Sequence, residues 1–117
     1  MMADGSQRRV ESAGLCRCFT SPGKSLVSEK ALGMDDVYAE VSVLGCPLCG
    51  QHWLRYFFEI EAFTASGRWY LGAIPADQVP LLSAENAKAT LEKLSWYFYG
   101  GSYYEGESGR TSGSIQI

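Results

Sequence analysis

The alternation of apolar and polar positions predicts three β-strands in the middle of the chain. Between Val37 and Leu44 every odd-numbered residue is apolar, while polar residues interrupt the even-numbered positions, as expected for a strand with one buried face. From His52 to Phe63 the even-numbered positions after His52 are apolar, and the odd-numbered ones mix aromatic and charged residues, so one face is expected to be buried and the other partly wet. A hairpin turn at 64–67, with Gly67 in the left-handed conformation, is predicted to lead into a return strand at 68–74.

The spacing of apolar residues becomes helical after Ser83. This serine is a suitable N-cap for residues 84–94, which are rich in helix-forming residues and carry Glu85 in the first turn. Gly100-Gly101 is expected to end the helix. The apolar residues at helical spacing, which are expected to pack on the sheet, are Ala87, Leu91, Leu94 and Phe98.

Composition and charge narrow the class of protein. The chain has 117 residues, of which 46% are hydrophobic and 20% charged, and these values suit one globular domain. No stretch approaches the roughly 20 apolar residues that cross a membrane, so a cytoplasmic location is expected. The formal net charge is −3 and the basic residues are scattered, which disfavours general attraction to nucleic acid.

The four cysteines form two close pairs, Cys16-Arg17-Cys18 and Cys46-Pro47-Leu48-Cys49. Two such pairs supply the four thiolates of a tetrahedral zinc (Zn²⁺) site. In the second pair, proline starts a turn and Gly50 permits a positive φ, so that backbone N–H groups can point at the sulfurs. The predicted metal ligands are Cys16, Cys18, Cys46 and Cys49.

The four cysteines also have interpretations other than a zinc site. A redox pair of the thioredoxin type would need a βαβ setting around Cys46, and two disulfides would suit a secreted chain with an apolar signal segment; the sequence indicates neither. The ligands alone leave zinc versus iron open. His52, the only histidine, is interpreted as a strand-entry residue rather than a ligand.

The cysteine pairs and the predicted hairpin resemble those of small bacterial zinc-ribbon proteins. The resemblance covers the four cysteines and the three strands, and Cys16-x-Cys18 is shorter than the usual two-residue spacing. It implies a zinc ion that ties an N-terminal arm to the sheet.

Residues 1–13 are predicted to be a disordered leader, and Lys24–Gly33 a short helical turn. Residues 14–117 are expected to form one α+β domain: a small antiparallel β-sheet with a zinc knuckle and a C-terminal helix packed on one face.

The stretch from Trp96 to Glu107 is the most unusual after the cysteines, because six aromatic residues fall within nine positions and two carboxylates follow. Exposed tyrosine and tryptophan beside acidic groups are typical of protein-contacting surfaces. The alternative is that Tyr103 and Tyr104 belong to a further strand beside 114–117. Asp35 and Asp36 are a second acidic candidate. The predicted partner-binding residues are Trp96, Tyr97, Tyr99, Tyr103, Tyr104, Glu105 and Glu107.

These observations favour a non-enzymatic protein that is stabilised by structural zinc and binds another protein. In size, charge and composition the chain resembles immunity proteins, which implies a basic toxin domain as the partner. The alternative is a zinc-ribbon module that binds nucleic acid or a transcription or translation complex through Trp53, Arg55, Phe57, Arg68 and Trp69. An enzyme that uses zinc and His52 ranks last, because four thiolates leave no open position on the metal.

Overall fold

The structure, a computed structural model, describes residues 16–20 and 26–115. Six strands form one sheet in which each strand pairs antiparallel with the next, so their order in the sheet follows the chain. The strands are β1 (Val27–Met34), β2 (Glu40–Gly45), β3 (His52–Phe58), β4 (Arg68–Ile74), β5 (Tyr97–Gly100) and β6 (Gly109–Thr111). One helix, α1 (Ala87–Lys93), and 3₁₀ turns at Arg17–Phe19, Ala76–Leu81 and Ser102–Tyr104 complete the described part. The expected α+β fold is confirmed.

The two faces of the sheet are covered by different elements. Leu54, Tyr56 and Phe58 of β3 are buried on the face that α1 covers, which is named the helix face. Trp53 and Leu71 are buried on the opposite face, against Cys16, Cys18 and Phe19 of the segment 16–20. This face is named the arm face, and the segment 16–20 is named the arm. Strand alternation thus yields two apolar layers rather than one core and one wet face.

The helix approaches the sheet closely above Gly72. A Cβ atom at this position would lie 2.4 Å from a Leu94 side-chain carbon and 2.6 Å from one of Leu91. Ala87 and Leu91 have no exposed surface and Leu94 is partly buried, as their helical spacing predicts. The missing side chain at Gly72 is what lets these residues rest on β4.

The prediction that the helix continues to Gly100-Gly101 is wrong. The helix ends at Lys93, and Tyr97–Gly100 forms β5, so Phe98 lies on the arm face instead of the helix. Over only four positions, a run of aromatic residues is compatible with either a strand or a helix. Here the residues form a strand because they pair with β4 and β6. The helix also begins later than predicted, after a turn in which Ser83 Oγ accepts a hydrogen bond from the Asn86 amide.

The predicted helical turn at Lys24–Gly33 is also wrong, because Val27–Met34 forms the edge strand β1. Tyr103 and Tyr104 lie in a 3₁₀ turn, not in a further strand. The predicted leader at 1–13 and residues 116–117 lie outside the described residues. Within the described part, no helix has the length and apolar character to cross a membrane.

The hairpin loops differ in detail from the prediction. The strand expected at 37–44 begins at Glu40, and the strand expected to reach Phe63 ends at Phe58. The left-handed residue of the following loop is Ala65, with φ 58°, and Gly67 does not have a positive φ. The return strand at Arg68–Ile74 has the predicted bounds.

Candidate metal centre

The four cysteine sulfurs form one cluster. All four Sγ atoms lie within 4.8 Å of one another, and the pairs Cys16–Cys46 and Cys18–Cys49 are each 3.6 Å apart. Sulfurs at about 2.3 Å from a tetrahedral metal ion are separated by about 3.8 Å, whereas a disulfide bond measures about 2.05 Å. All four cysteines are free. They form a group that could bind a metal ion.

Two tight turns place the sulfurs. Cys46 and Cys49 lie in the turn between β2 and β3, where the Gly50 amide donates to the Cys46 carbonyl at 2.8 Å. Gly50 has φ 80°, which confirms the role predicted for it. Cys16 precedes the first 3₁₀ turn and Cys18 lies within it, and the Phe19 amide donates to the Cys16 carbonyl at 3.0 Å. The cluster therefore connects the arm to the β2–β3 hairpin.

Backbone dipoles around the cluster favour a thiolate at one position above all. Burial raises the pKa of Cys46, but the backbone N–H groups of Cys49 and Leu48, together with the side chains of Cys16 and Cys49, lower it to about 7. Burial raises the pKa of Cys49. Burial and the neighbouring Cys49 thiol raise the pKa of Cys18, while the Trp53 indole opposes the rise. A bound cation would supply the charge that keeps all four as thiolates.

The indole nitrogen of Trp53 tests whether a metal–thiolate group fits here. Its ring is fully buried beside Cys18 and Cys46, and Nε1 has no hydrogen-bond partner of normal geometry among the described residues. A buried N–H without an acceptor is costly. The same N–H opposes the rise in the pKa of the Cys18 thiol, so it acts on that sulfur. A negatively charged Cys18 sulfur is the acceptor that the environment provides, and the residues fit a thiolate-bound metal.

Aromatic rings hold the arm on the sheet next to the sulfurs. Phe19 packs on Trp53 with 5.1 Å between ring centroids. The guanidinium of Arg110, on β6, lies 4.1 Å above the Trp96 ring and donates a hydrogen bond to the Phe19 carbonyl oxygen. The strand pattern places Trp53 on a partly wet face and indicates no role for Arg110. An arm held at Cys46 must cover part of the sheet, however, and this requirement could have indicated an apolar patch at Trp53.

His52 lies apart from the sulfur cluster. Its Nδ1 is 2.7 Å from Glu29 Oε1 on β1, which supports its interpretation as a strand residue. Glu29 reaches it across β2 above Gly45, where a Cβ atom would lie 2.1 Å from the carboxylate. Among the described aspartate, glutamate, cysteine and histidine residues, only the four cysteines form a cluster compact enough to bind one metal ion.

The predicted partner-binding residues separate into buried and exposed groups. Tyr97 is 1% exposed and its hydroxyl donates to the Gly113 carbonyl at 2.7 Å, so its assignment to a surface is corrected. Strand alternation turns Tyr97 and Tyr99 toward the helix face. Trp96 is partly buried beneath Arg110. The more exposed members of the predicted set are Tyr103, Glu105 and Glu107.

Tyr99 and Tyr104 pack on each other at the margin of the core. Their ring centroids lie 4.7 Å apart, and both are only partly buried. The Tyr104 hydroxyl forms a hydrogen bond of 2.8 Å with that of Tyr70. Both tyrosines therefore have structural contacts within the protein.

The surface suggested for nucleic acid is incomplete. Trp53 is fully buried and Arg68 is 4% exposed, with its guanidinium between the rings of Phe58 and Tyr103 at 4.9 and 4.1 Å. The remaining members of that set, Arg55, Phe57 and Trp69, are partly exposed on the arm face. Burial of Trp53 follows from the arm, which the strand pattern alone does not reveal.

No family model matches the chain, and neither the curated proteins nor the solved structures give a significant match. The comparisons therefore do not support the zinc-ribbon resemblance, and what the structure shows is a cluster of four cysteines compatible with metal binding.

Proposed function

We propose that this chain is a non-enzymatic protein-binding domain held together by structural zinc, and that it serves as an immunity protein against a basic toxin domain. The observation that carries the first half is the cluster of four sulfurs at metal-ligand separation. Four thiolates fill a tetrahedral coordination sphere. Such an ion has no free position for a substrate and acts as a clamp between the arm and the sheet.

The surroundings of the sulfurs support a thiolate-bound metal ion as the clamp, and we assign that ion as zinc. The turn at Cys46 directs backbone N–H groups at its sulfur, and Trp53 brings an indole N–H to Cys18. Donors of this kind fix thiolate ligands and offset their negative charge. Bound zinc would supply positive charge to these sulfurs, and its binding free energy would add to the stability of the fold.

Charge and exposed rings support a protein partner. The formal net charge is −3, and zinc on four thiolates would bring it to about −5. Exposed Tyr103, Glu105 and Glu107 lie close together in the chain after β5. An acidic surface with aromatic anchors suits a basic protein partner, because opposite charges accelerate and orient the encounter.

A growth assay tests the immunity function. The protein encoded beside this chain in its source genome is expressed under an inducible promoter, with and without this chain. The proposal predicts growth arrest without the chain, growth with it, and a stoichiometric complex of the two purified proteins whose affinity falls as salt is raised. Failure to protect, or the absence of any complex at low salt, would refute the immunity function.

A further inference from the structure

A cleft opens at the end of the sheet that lies opposite the cysteine cluster. It has a volume of about 520 Å³ and lies between the β1–β2 turn and the loop after β3. Because β2 and β3 meet the cysteines at their other ends, the cleft and the proposed metal occupy the two ends of the same hairpin. Its lining includes Met34, Val37, Tyr38, Glu40, Glu59 and Glu61.

Apolar side chains in this cleft are unusually accessible. Tyr38 is 79% exposed, the highest value among the large hydrophobic residues described, and Met34 is 53% exposed. Val37 and Ile60 are exposed as well. Apolar surface that gathers in a concave site is typical of a place where another molecule is bound.

The backbone at Tyr38 gives an independent reason to assign it a role. Its φ is 65°, a left-handed conformation that costs a residue with a Cβ about 1 kcal/mol. Burial does not offset this cost, because the ring projects into solvent. Glycine or asparagine would suit the position better. A tyrosine here is therefore poorly explained by stability alone, and strained residues of this kind concentrate at binding sites.

Hydrogen bonds hold the backbone of the turn that carries Tyr38. Asp35 Oδ1 accepts the amide hydrogens of Val37 and Ala39 at 3.0 and 2.9 Å, and the Tyr56 hydroxyl donates to the other carboxylate oxygen. The Tyr38 amide donates to the Asp35 carbonyl at 3.1 Å. Asp35 therefore stabilises the turn from within the protein, and these hydrogen bonds give it a structural role.

The charges around the cleft indicate its occupant. Glu40, Glu59 and Glu61 line it, and no lysine, arginine or histidine does. None of these carboxylates forms an ion pair with another residue in the described segments. Arg55 stacks on Phe57 at 5.1 Å and Arg68 on Phe58 at 4.9 Å, but neither arginine lines the cleft. The open side of the cleft is acidic.

We infer that this cleft binds a protein segment in which an arginine or lysine is flanked by apolar residues. The cation would meet the carboxylates of Glu59 and Glu61, and the apolar residues would pack on Tyr38, Val37 and Met34. This inference rests on the proposed protein-binding function and places its main contact at the β1–β2 turn rather than at Tyr103.

A random peptide library displayed on phage is the probe. The zinc-loaded chain is immobilised, bound peptides are selected, and synthetic copies are measured by fluorescence anisotropy. Enriched peptides should carry arginine or lysine beside apolar residues. Binding should weaken at least tenfold in Tyr38→Asn and in the double variant Glu59→Gln with Glu61→Gln. Tyr38→Asn should melt no lower than the wild type, since asparagine suits the left-handed turn.

Ala65→Asn is the matched control. Ala65 also has a left-handed backbone, with φ 58°, but does not line the cleft, so its replacement should leave peptide binding unchanged. Wild-type affinity in the cleft variants, loss of binding in Ala65→Asn, or a library that yields no basic consensus would overturn the inference. If the growth assay still shows protection in that case, the cleft is wrong and the immunity function stands; if protection also fails, the proposed function fails with it.

Discussion

At the scale of single residues, Trp53 contributes in two ways to the proposed metal centre. Its ring fills the arm face between Phe19 and Phe98, and its indole N–H lies buried without a normal acceptor among the described residues. The first contribution is packing, and we propose that the second is an N–H group that would donate to a metal-bound Cys18 sulfur, since it lowers the pKa of that thiol. A substitution that keeps an aromatic ring separates the two.

We predict that Trp53→Phe weakens zinc binding roughly 10–100-fold, because a donor to a ligating sulfur is lost. Competition with a chromophoric chelator measures the affinity. Trp96→Phe is the control, since it shortens a ring in the same aromatic cluster, 6.3 Å from Trp53. Equal losses of affinity in both variants would show that packing, and not the N–H donor, accounts for the effect.

At the scale of elements, Glu92 connects α1 to the end of the described chain. Its Oε2 accepts the Ile115 amide hydrogen at 2.8 Å and lies 3.1 Å from Lys88 Nζ. The hydrogen bond from Ile115 lowers the pKa of Glu92 below its ordinary 4.5, against the opposing effect of burial, and Lys88 lowers it further. The ionised carboxylate is therefore favoured in the folded state.

Glu92→Gln should lower the free energy of unfolding by about 1 kcal/mol at pH 7, because a charge-assisted hydrogen bond becomes a neutral one. A group whose pKa is lowered by folding stabilises above its unfolded pKa of 4.5, and this contribution disappears as the pH falls through the lower folded value. Urea titrations of both proteins between pH 7 and pH 3 should show the difference shrinking. A constant difference across this range would contradict the assignment.

The close approach of the Ser102–Tyr104 turn to β4 depends on Gly101. Its φ is 118°, and a Cβ atom would lie 2.5 Å from the Gly67 carbonyl oxygen and 2.8 Å from Arg68 Cα. Gly101→Ala should therefore cost about 3 kcal/mol or more, since backbone cannot move aside as a side chain can. Thermal unfolding measures the loss.

Gly106→Ala is the control for this prediction. Gly106 has φ 84°, and nothing lies within 4 Å of where its Cβ atom would be. Only the left-handed conformation is penalised there, at about 1–2 kcal/mol. Similar losses in the two variants would argue against a steric origin for the Gly101 effect.

The predictable elements are those in which local pattern and tertiary packing agree. β4 carries its aliphatic and aromatic pattern up to Pro75, and its bounds were predicted in full. β1 was missed because it is exposed along most of its length, so no alternation marks it, and its pairing with β2 is what makes it a strand. β5 was taken for helix because four residues cannot distinguish the two periods.

The cysteine cluster was predictable for a different reason. Both cysteine pairs lie in short turns, so the local spacing already places two sulfurs together, and tetrahedral coordination accounts for all four. What the spacing does not encode is which face of the sheet the arm covers. The position of the arm determines that Trp53 is buried and that Arg110 contacts the arm. Neither consequence could be derived from the cysteine spacing alone.

At the scale of the whole molecule, the arm meets the sheet at the four clustered sulfurs and at one aromatic layer. The layer joins Cys18 to Trp53, Leu71 and Phe98 on three consecutive strands. A metal ion that binds only to the folded state adds RT ln(1 + [L]/Kd) to the free energy of unfolding, where [L] is the free metal concentration. This contribution is about 4 kcal/mol when [L] is a thousand times Kd. Removal of the metal should therefore release the arm and expose the layer beneath it.

We predict that a strong zinc chelator lowers the unfolding temperature and shifts tryptophan emission to the red, because Trp53 is fully buried under the arm. Restored zinc should reverse both changes. The experiment compares calorimetry and fluorescence before and after chelation at constant pH. An unchanged melting curve in metal-free protein would mean that the aromatic layer holds the arm without an ion.

X-ray absorption at the metal edge of the purified protein tests the central claim most directly, namely that all four cysteines bind one ion. The account predicts one zinc ion per chain with four sulfur neighbours at about 2.3 Å and no lighter neighbour. A shell that contains nitrogen or oxygen, or a folded protein that carries no metal, would contradict it.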